Sequence, residues 1–155
     1  LAVAKPGDVI VVDGKGDISC ALLGEIMATQ AEASGIAGII IDGAVRDADA
    51  LSTHTYPVFS AGLNPCGPTK FIPGRVNYPV SVAGATINAG DLVVGDIDGV
   101  VVVPRDEVEV VLELAAKKLD METRRIAAIK AGDKRPGWLN GALRAAGMLA
   151  EGEEL

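Results

Sequence analysis

Residues 24–47 read GEIMATQAEASGIAGIIIDGAVRD and indicate the fold class of the chain. Its first half predicts the end of a helix over residues 19–34, closed by Gly35, a residue suited to a helix C-terminus. The run GIIID at residues 38–42 is apolar and rich in β-branched side chains, so it predicts a short buried strand. A helix that leads into a buried strand is typical of an α/β protein.

The rest of the chain continues this mixture of elements. Further strands are predicted at residues 8–12, 56–60, 78–86, 92–94 and 100–103, with loops at 13–17 and 62–79. Asp98-Gly99 predicts a hairpin between the last two strands. Helices are predicted at residues 47–51, 106–131 and 138–150. We therefore expect residues 1–155 to form a single layered α/β domain with mixed sheets.

Composition excludes several classes of function. The chain has 14 Lys and Arg against 21 Asp and Glu, a net charge of −7, which argues against a nucleic-acid binder. No uninterrupted apolar run reaches the roughly 20 residues that a membrane span needs. The first residues lack the basic region and cleavage pattern of a signal peptide, so we expect a cytoplasmic location.

Arg46-Asp47 is the strongest candidate for chemistry. The predicted strand delivers Asp42, Arg46 and Asp47 to the edge of the sheet where ligands of open α/β sheets bind. The guanidinium of Arg46 matches a carboxylate, and the oxygens of Asp47 suit Mg²⁺ or Mn²⁺. A simpler interpretation is an ion pair in a turn, with Asp47 capping the next helix.

Two other carboxylates are candidates. If a helix begins near Gly24, its free N–H groups could receive a carboxylate, with Glu25 as an acid/base group beside them. Glu122 interrupts an otherwise apolar stripe on the long helix, formed by Val111, Ala115, Leu119, Ile126 and Ile129. The alternatives are an ordinary exposed glutamate at Glu25, and at Glu122 an edge position paired with Arg124 or Arg125.

The remaining reactive side chains carry weaker signals. His54 is the only histidine and is interpreted as a surface or packing residue. Lys70 lies in a polar loop without the apolar surroundings that would make it a Schiff-base lysine. Cys20 and Cys66 are too few for a disulfide framework.

The spacing of these residues resembles a known family. Glu25, twenty further residues and then Arg46-Asp47 is similar to the signature Asp/Glu-x20-Arg-Asp of the class II pyruvate aldolases. These enzymes act on 4-hydroxy-4-methyl-2-oxoglutarate and 4-carboxy-4-hydroxy-2-oxoadipate. The wider family includes the regulator of ribonuclease activity A (RraA). NYPVSVAGATINAGDLVVGDIDGVVVVP at residues 77–104 resembles the second half of the family.

The resemblance implies a role for each candidate residue. Asp47 would bind a divalent metal, Mg²⁺ or Mn²⁺, directly, and Arg46 would hold the pyruvyl oxygens. The backbone amides of Gly24, Glu25, Ile26 and Met27 would receive the pyruvate carboxylate. Glu25 would assist proton transfer through water, and Glu122 would reach the metal's water shell from a neighbouring subunit. The implied reaction releases pyruvate through an enolate, so the same site could also decarboxylate oxaloacetate.

The resemblance also implies an architecture and an assembly. It implies an RraA-like, layered α-β-β-α sandwich of the swivelling-domain type, in a homotrimer or homohexamer with a small 2-oxo acid as substrate. By this comparison the chain lacks an N-terminal portion of the domain. The alternative within the family is a non-enzymatic regulator that binds and inhibits a ribonuclease. Such regulators carry Asn where this chain has Glu25.

Overall fold

The computed structural model describes residues 1–155, which divide into two compact units, residues 1–106 and 107–155. The first unit contains β1 (Val9–Leu23), α1 (Glu25–Ala33), β2 (Gly38–Val45), α2 (Ala48–Leu51), β3 (Val58–Leu63), β4 (Val80–Val82), β5 (Ala85–Ile87), β6 (Leu92–Asp96) and β7 (Gly99–Val103). The second contains α3 (Val108–Lys130) and α4 (Leu139–Ala145). None of these helices combines the length and the apolarity needed to cross a membrane.

A parallel three-stranded sheet, in the order β1-β2-β3, organises the first unit. Its strands end in register, because Leu23 pairs with Val45 and Val45 pairs with Leu63. The next residue of each strand therefore lies at the same edge of the sheet. This is the carboxyl edge, where open α/β sheets bind their ligands.

The two faces of the sheet bury different residues because side chains alternate along β2. Ile39 and Ile41 pack on the face covered by α1 and α2, in a cluster with Leu23, Ala28, Ala31, Ile36, Val45, Leu51 and Tyr56. Ile40 packs on the other face with Val82 and Ile87, against residues of β6 and β7. Helices, sheet and hairpins thus form layers, and the expected mixed α/β class is confirmed.

The prediction of a helix from residue 19 is wrong, because β1 continues to Leu23. Ala21 and Leu23 are buried at the alternating positions of a strand and pair with β2. Lys15 and Gly16 have positive φ values of 59° and 68°, and the register shifts there. The predicted loop at residues 13–17 is therefore a bulge within one long strand. The helix begins only at Glu25.

Other boundaries differ in smaller ways. β2 runs through Asp42 to Val45, so Asp42 lies within the strand rather than at its end. The single strand predicted at 78–86 is a hairpin of β4 and β5, turned by Ala83 and Gly84 at positive φ. The hairpin of β6 and β7 was predicted and is confirmed. The last helix is shorter than predicted, and no residue of α3 is buried.

Candidate active site

The candidate site is built where the three parallel strands end. Gly24, Arg46 and Asn64 follow β1, β2 and β3 respectively. The backbone N–H of Arg46 donates to the carbonyl of Leu23 at 2.9 Å, and that of Asn64 donates to the carbonyl of Val45 at 3.0 Å. Hydrogen bonds across the strand ends thus hold these three connecting segments side by side.

Asp47 joins two of these segments. Its backbone is left-handed, with φ 60° and ψ 42°, which is unfavourable for most residues and tolerated best by Gly, Asn and Asp. In this conformation its Oδ2 accepts the N–H of Glu25 at 3.0 Å. Gly24, the N-cap of α1, has no side chain for that purpose, so Asp47 supplies the carboxylate to the helix N-terminus.

Gly24 is required here by space rather than by backbone conformation. Its φ of −146° is extended and open to any residue. A Cβ at Gly24, however, would stand 2.6 Å from Oδ2 of Asp47 and 3.0 Å from Nε of Arg46. The absence of a side chain lets both charged groups approach the start of α1.

Arg46 and Asp47 form a loose, half-exposed ion pair. Nε of Arg46 lies 3.7 Å from Oδ2 of Asp47, and the two side chains are 45% and 42% exposed. Such exposure makes the pair a weak source of stability. It also leaves the guanidinium accessible to a carboxylate and the Asp47 carboxylate accessible to a cation.

The first turn of α1 completes the site. Glu25 is exposed, and so are the side chains of Ile26 and Met27. N–H groups in a first helical turn have no acceptor within the helix. Of the amides expected to bind a carboxylate, that of Glu25 is engaged by Asp47.

Glu122 lies in the second unit, on α3. Its Oε1 is 3.4 Å from Nζ of Lys118, one helical turn earlier, and its side chain is 53% exposed. The alternative partners predicted for it pair elsewhere, Arg124 with Asp120 and Arg125 with Asp133. Its stripe is not a buried face, since Leu119, Ile126 and Ile129 are all exposed.

The donor set suits a hydrated, hard cation. No three His, Cys, Asp or Glu side chains gather to enclose a metal ion. The segments of Asp47 and Glu25 are joined by the hydrogen bond from the Glu25 N–H, and both residues are exposed and carry carboxylates. Mg²⁺ keeps several waters and is commonly held by one or two carboxylates, so these residues fit such an ion.

A cluster that sequence analysis did not predict anchors the other end of α1. Oε1 of Glu32 accepts the N–H and the hydroxyl of Thr55 at 2.8 and 2.7 Å, and Oε2 is 2.8 Å from Nδ1 of His54. These bonds, chiefly those from Thr55, lower the pKa of Glu32 to about 2. The Tyr56 hydroxyl donates to the carbonyl of Ala28 at 2.8 Å, and burial raises the pKa of Tyr56. His54 is therefore a packing residue, as predicted.

The loop that follows β3 was also missed as part of the site. A Cβ at Gly67 would stand 3.3 Å from Nη1 of Arg46, so this loop lies beside the guanidinium. The sequence predicts residues 62–79 as a long loop, of a length that is often functional, but does not connect it with Arg46. The signal that could have identified it is Asn64, the first residue after the third parallel strand.

Comparisons with known proteins identify the family of the chain. The RraA-like family model, described as Aldolase/RraA, matches residues 1–102. A protein of Halalkalibacterium halodurans named "Putative 4-hydroxy-4-methyl-2-oxoglutarate aldolase" is 43% identical over 126 residues, which are 81% of this chain. The chain spans 60% of the length of that relative.

Solved structures of similar chains share the fold. An uncharacterized protein from Pseudomonas syringae pv. tomato superposes with a TM-score of 0.78 at 36% identity, over 85% of this chain and 66% of its own. An unusual member of the RNase ES inhibitor RraA protein family from Streptomyces coelicolor superposes with a TM-score of 0.74 at 31% identity. That match covers 80% of this chain and 64% of the other.

Proposed function

Because the chain belongs to the RraA-like family, we propose that it is a divalent-metal-dependent lyase that releases pyruvate from a 4-hydroxy-2-oxo diacid. The proposed substrates are 4-hydroxy-4-methyl-2-oxoglutarate or 4-carboxy-4-hydroxy-2-oxoadipate, with decarboxylation of oxaloacetate as a second activity. The observation that carries the proposal is the close approach of Arg46 and Asp47 to the N-terminus of α1.

Arg46 binds the 2-oxo acid end of the substrate in this proposal. Its half-exposed guanidinium can form paired hydrogen bonds with a carboxylate, which a lysine cannot reproduce. When the bond between C3 and C4 breaks, its electrons move to the 2-oxo oxygen and form the enolate of pyruvate. The positive charge of Arg46 stabilises that developing negative charge.

The first turn of α1 orients the substrate carboxylate. The N–H groups of Ile26 and Met27 stand in the turn where no intrahelical acceptor exists. The positive end of the helix dipole favours an anion there. We propose these two amides as the carboxylate-binding donors, since Asp47 accepts the N–H of Glu25.

Glu25 moves the proton. Retro-aldol cleavage removes the proton of the 4-hydroxyl group and later delivers one to C3 of the enolate. Glu25 is exposed in the same helical turn as the proposed anion site, so its carboxylate can exchange protons with a bound substrate through water.

Asp47 is the proposed metal ligand, with Glu25 reaching the ion through water. A bound Mg²⁺ or Mn²⁺ supplies Lewis-acid stabilisation of negative charge on the substrate oxygens. Glu122 is proposed to reach the same water shell from a neighbouring copy.

We also propose that the protein self-associates as a homotrimer or homohexamer in the cytoplasm, without nucleic-acid or membrane partners. The exposed apolar side chains of α3, among them Leu112, Leu119 and Ile126, support self-association.

A non-enzymatic ribonuclease regulator is the second candidate. Similarity to the Streptomyces coelicolor member of the RNase ES inhibitor family favours it. Glu25 favours the lyase, because it provides a proton-transfer group at the first turn of α1.

Asp47→Asn tests the proposal. Asparagine tolerates the left-handed backbone and retains an acceptor for the Glu25 N–H, so the fold should persist while the charge is lost. We expect metal-dependent pyruvate release to disappear. Asp49→Asn, an exposed carboxylate of α2, is the matched control and should keep full activity. Wild-type turnover by Asp47→Asn would refute the metal assignment.

A further inference from the structure

The segment that follows β3, residues 64–67, is hydrogen-bonded to the second half of β1 and, through the backbone N–H of Asn64, to the end of β2. The side-chain Nδ2 of Asn64 donates to the carbonyl of Ile18 at 2.9 Å, and its Oδ1 accepts the N–H of Cys66 at 2.9 Å. The carbonyl of Cys66 in turn accepts the N–H of Ala21 at 2.8 Å. One asparagine side chain thus ties its own loop to β1.

Residues 64–67 also lie beside the guanidinium of Arg46, on one side of the space, here called the slot, that this side chain occupies. A Cβ at Gly67 would stand 3.3 Å from Nη1 of Arg46, and a Cβ at Gly24 would stand 3.0 Å from its Nε. The half-exposed guanidinium therefore lies close to two glycines, one at the start of α1 and one in the loop. An arginine side chain has many rotamers, and restricting them before binding lowers the entropic cost of gripping a ligand.

We propose that Asn64 is a positioning residue for Arg46. Its two side-chain hydrogen bonds hold residues 64–67 in place, so that Gly67 confines the guanidinium in the orientation that receives the carboxylate of a 2-oxo acid. This inference rests on the proposed function for the identity of the ligand. The confinement of Arg46 itself rests only on the contacts described above.

Asn64→Ala removes both side-chain hydrogen bonds of the loop. We expect the dissociation constant of pyruvate, measured by calorimetry with Mg²⁺ present, to rise roughly tenfold, the effect of losing well-formed hydrogen bonds. The Nε–H resonance of Arg46 should shift and broaden, because the side chain gains rotamers.

Gly67→Ala perturbs the same slot without removing a hydrogen bond. The backbone of Gly67 is not at positive φ, and the atom it would crowd is the far end of a flexible side chain, so the fold should tolerate the change. We expect unchanged thermal stability and weaker pyruvate binding. Gly74→Ala, in the same loop but with open space around its Cβ, is the matched control and should behave as wild type.

A double-mutant cycle separates positioning from general stabilisation. If Asn64 acts through Arg46, Asn64→Ala should weaken pyruvate binding no further in an Arg46→Ala background. Losses that simply add in the double variant would overturn the proposal.

The outcomes also separate this inference from the proposed reaction. A wild-type protein that binds pyruvate but cleaves no 2-oxo acid would refute the reaction and leave the positioning role testable by affinity. If the wild type does not bind pyruvate, the Nε–H resonance of Arg46 tests whether Asn64 confines the side chain. A resonance that shifts in Asn64→Ala supports confinement, whereas one that is unchanged overturns it. Unchanged affinity and an unchanged resonance overturn the inference whatever the turnover.

Discussion

Gly24→Ala should disable the site while leaving the fold intact. The new Cβ would stand 2.6 Å from Oδ2 of Asp47 and 3.0 Å from Cγ and Nε of Arg46. Because the φ of Gly24 is −146°, alanine adds no backbone strain at this position. The atoms in the way belong to two half-exposed side chains, which can move aside.

The displacement is large enough to break the contact between the two segments. To restore an ordinary van der Waals separation, Oδ2 of Asp47 must retreat by about 0.5 Å or more. Its hydrogen bond with the Glu25 N–H, 3.0 Å long, would then exceed the usual limit for such a bond. Hydrogen bonds to charged groups contribute about 1.5–3 kcal/mol when water is excluded, and the half-exposed Asp47 should contribute less, about 1 kcal/mol, so the carboxylate leaves the helix N-terminus at a small cost in stability.

The assay compares turnover with thermal unfolding in the same preparations. We expect Gly24→Ala to lose metal-dependent pyruvate release while its Tm falls by only about 2–4 °C, the effect of roughly 1 kcal/mol in a chain of this size. Gly137→Ala, where a Cβ meets open space, should match wild type in both measurements. Full turnover by Gly24→Ala would refute the argument that the close approach at this glycine builds the site.

Three further predictions concern Arg46 and Glu25 in the site and Glu32 at the other end of α1. Arg46→Lys should raise KM for the 2-oxo acid more than tenfold without changing the Tm, since lysine cannot grip a carboxylate with paired hydrogen bonds; an unchanged KM would contradict the role of the guanidinium. Glu25→Gln should lower kcat while metal affinity, followed by calorimetry, stays close to wild type; equal losses in both would argue against a proton-transfer role. The pKa of Glu32 is lowered to about 2, so this carboxylate stabilises the native state above its ordinary pKa of 4.5 and loses that contribution as the pH falls towards 2. The free energy of unfolding, measured with urea, should therefore fall between pH 4.5 and pH 2, and it should fall less in Glu32→Gln than in the wild type. Identical pH profiles for the two proteins would contradict this role of Glu32.

The sequence predicted the middle of the sheet better than its boundaries. The run of isoleucines at residues 39–41 indicates a buried strand because β-branched side chains favour strands and glycines flank the run on both sides. The prediction of a helix from residue 19 was wrong because residues 19–23 form a short, mostly apolar segment, and such a segment fits a helix or a strand. Ala21 and Leu23 pair with β2, which makes this segment a strand, and the local sequence does not show such pairing.

The candidate site could be predicted in part for a physical reason. The strand at residues 38–42 was expected to bring Arg46 and Asp47 to the edge of the sheet where ligands bind, whereas only the family resemblance placed Glu25 with them. The bond between Asp47 and the Glu25 N–H depends on a left-handed backbone at Asp47, which the sequence alone does not reveal. The part played by Asn64 depends on register across three strands, information that only the folded chain contains.

Metal-dependent lyase activity can be tested by measuring pyruvate release by the purified protein, first with Mg²⁺ and then with EDTA. Oxaloacetate and 4-hydroxy-4-methyl-2-oxoglutarate are the two substrates to compare. We expect release that requires the metal and stops on chelation. Release that continues in EDTA would contradict a metal-dependent site at Asp47, and a folded protein that binds Mg²⁺ but releases no pyruvate from either substrate would contradict the proposed lyase.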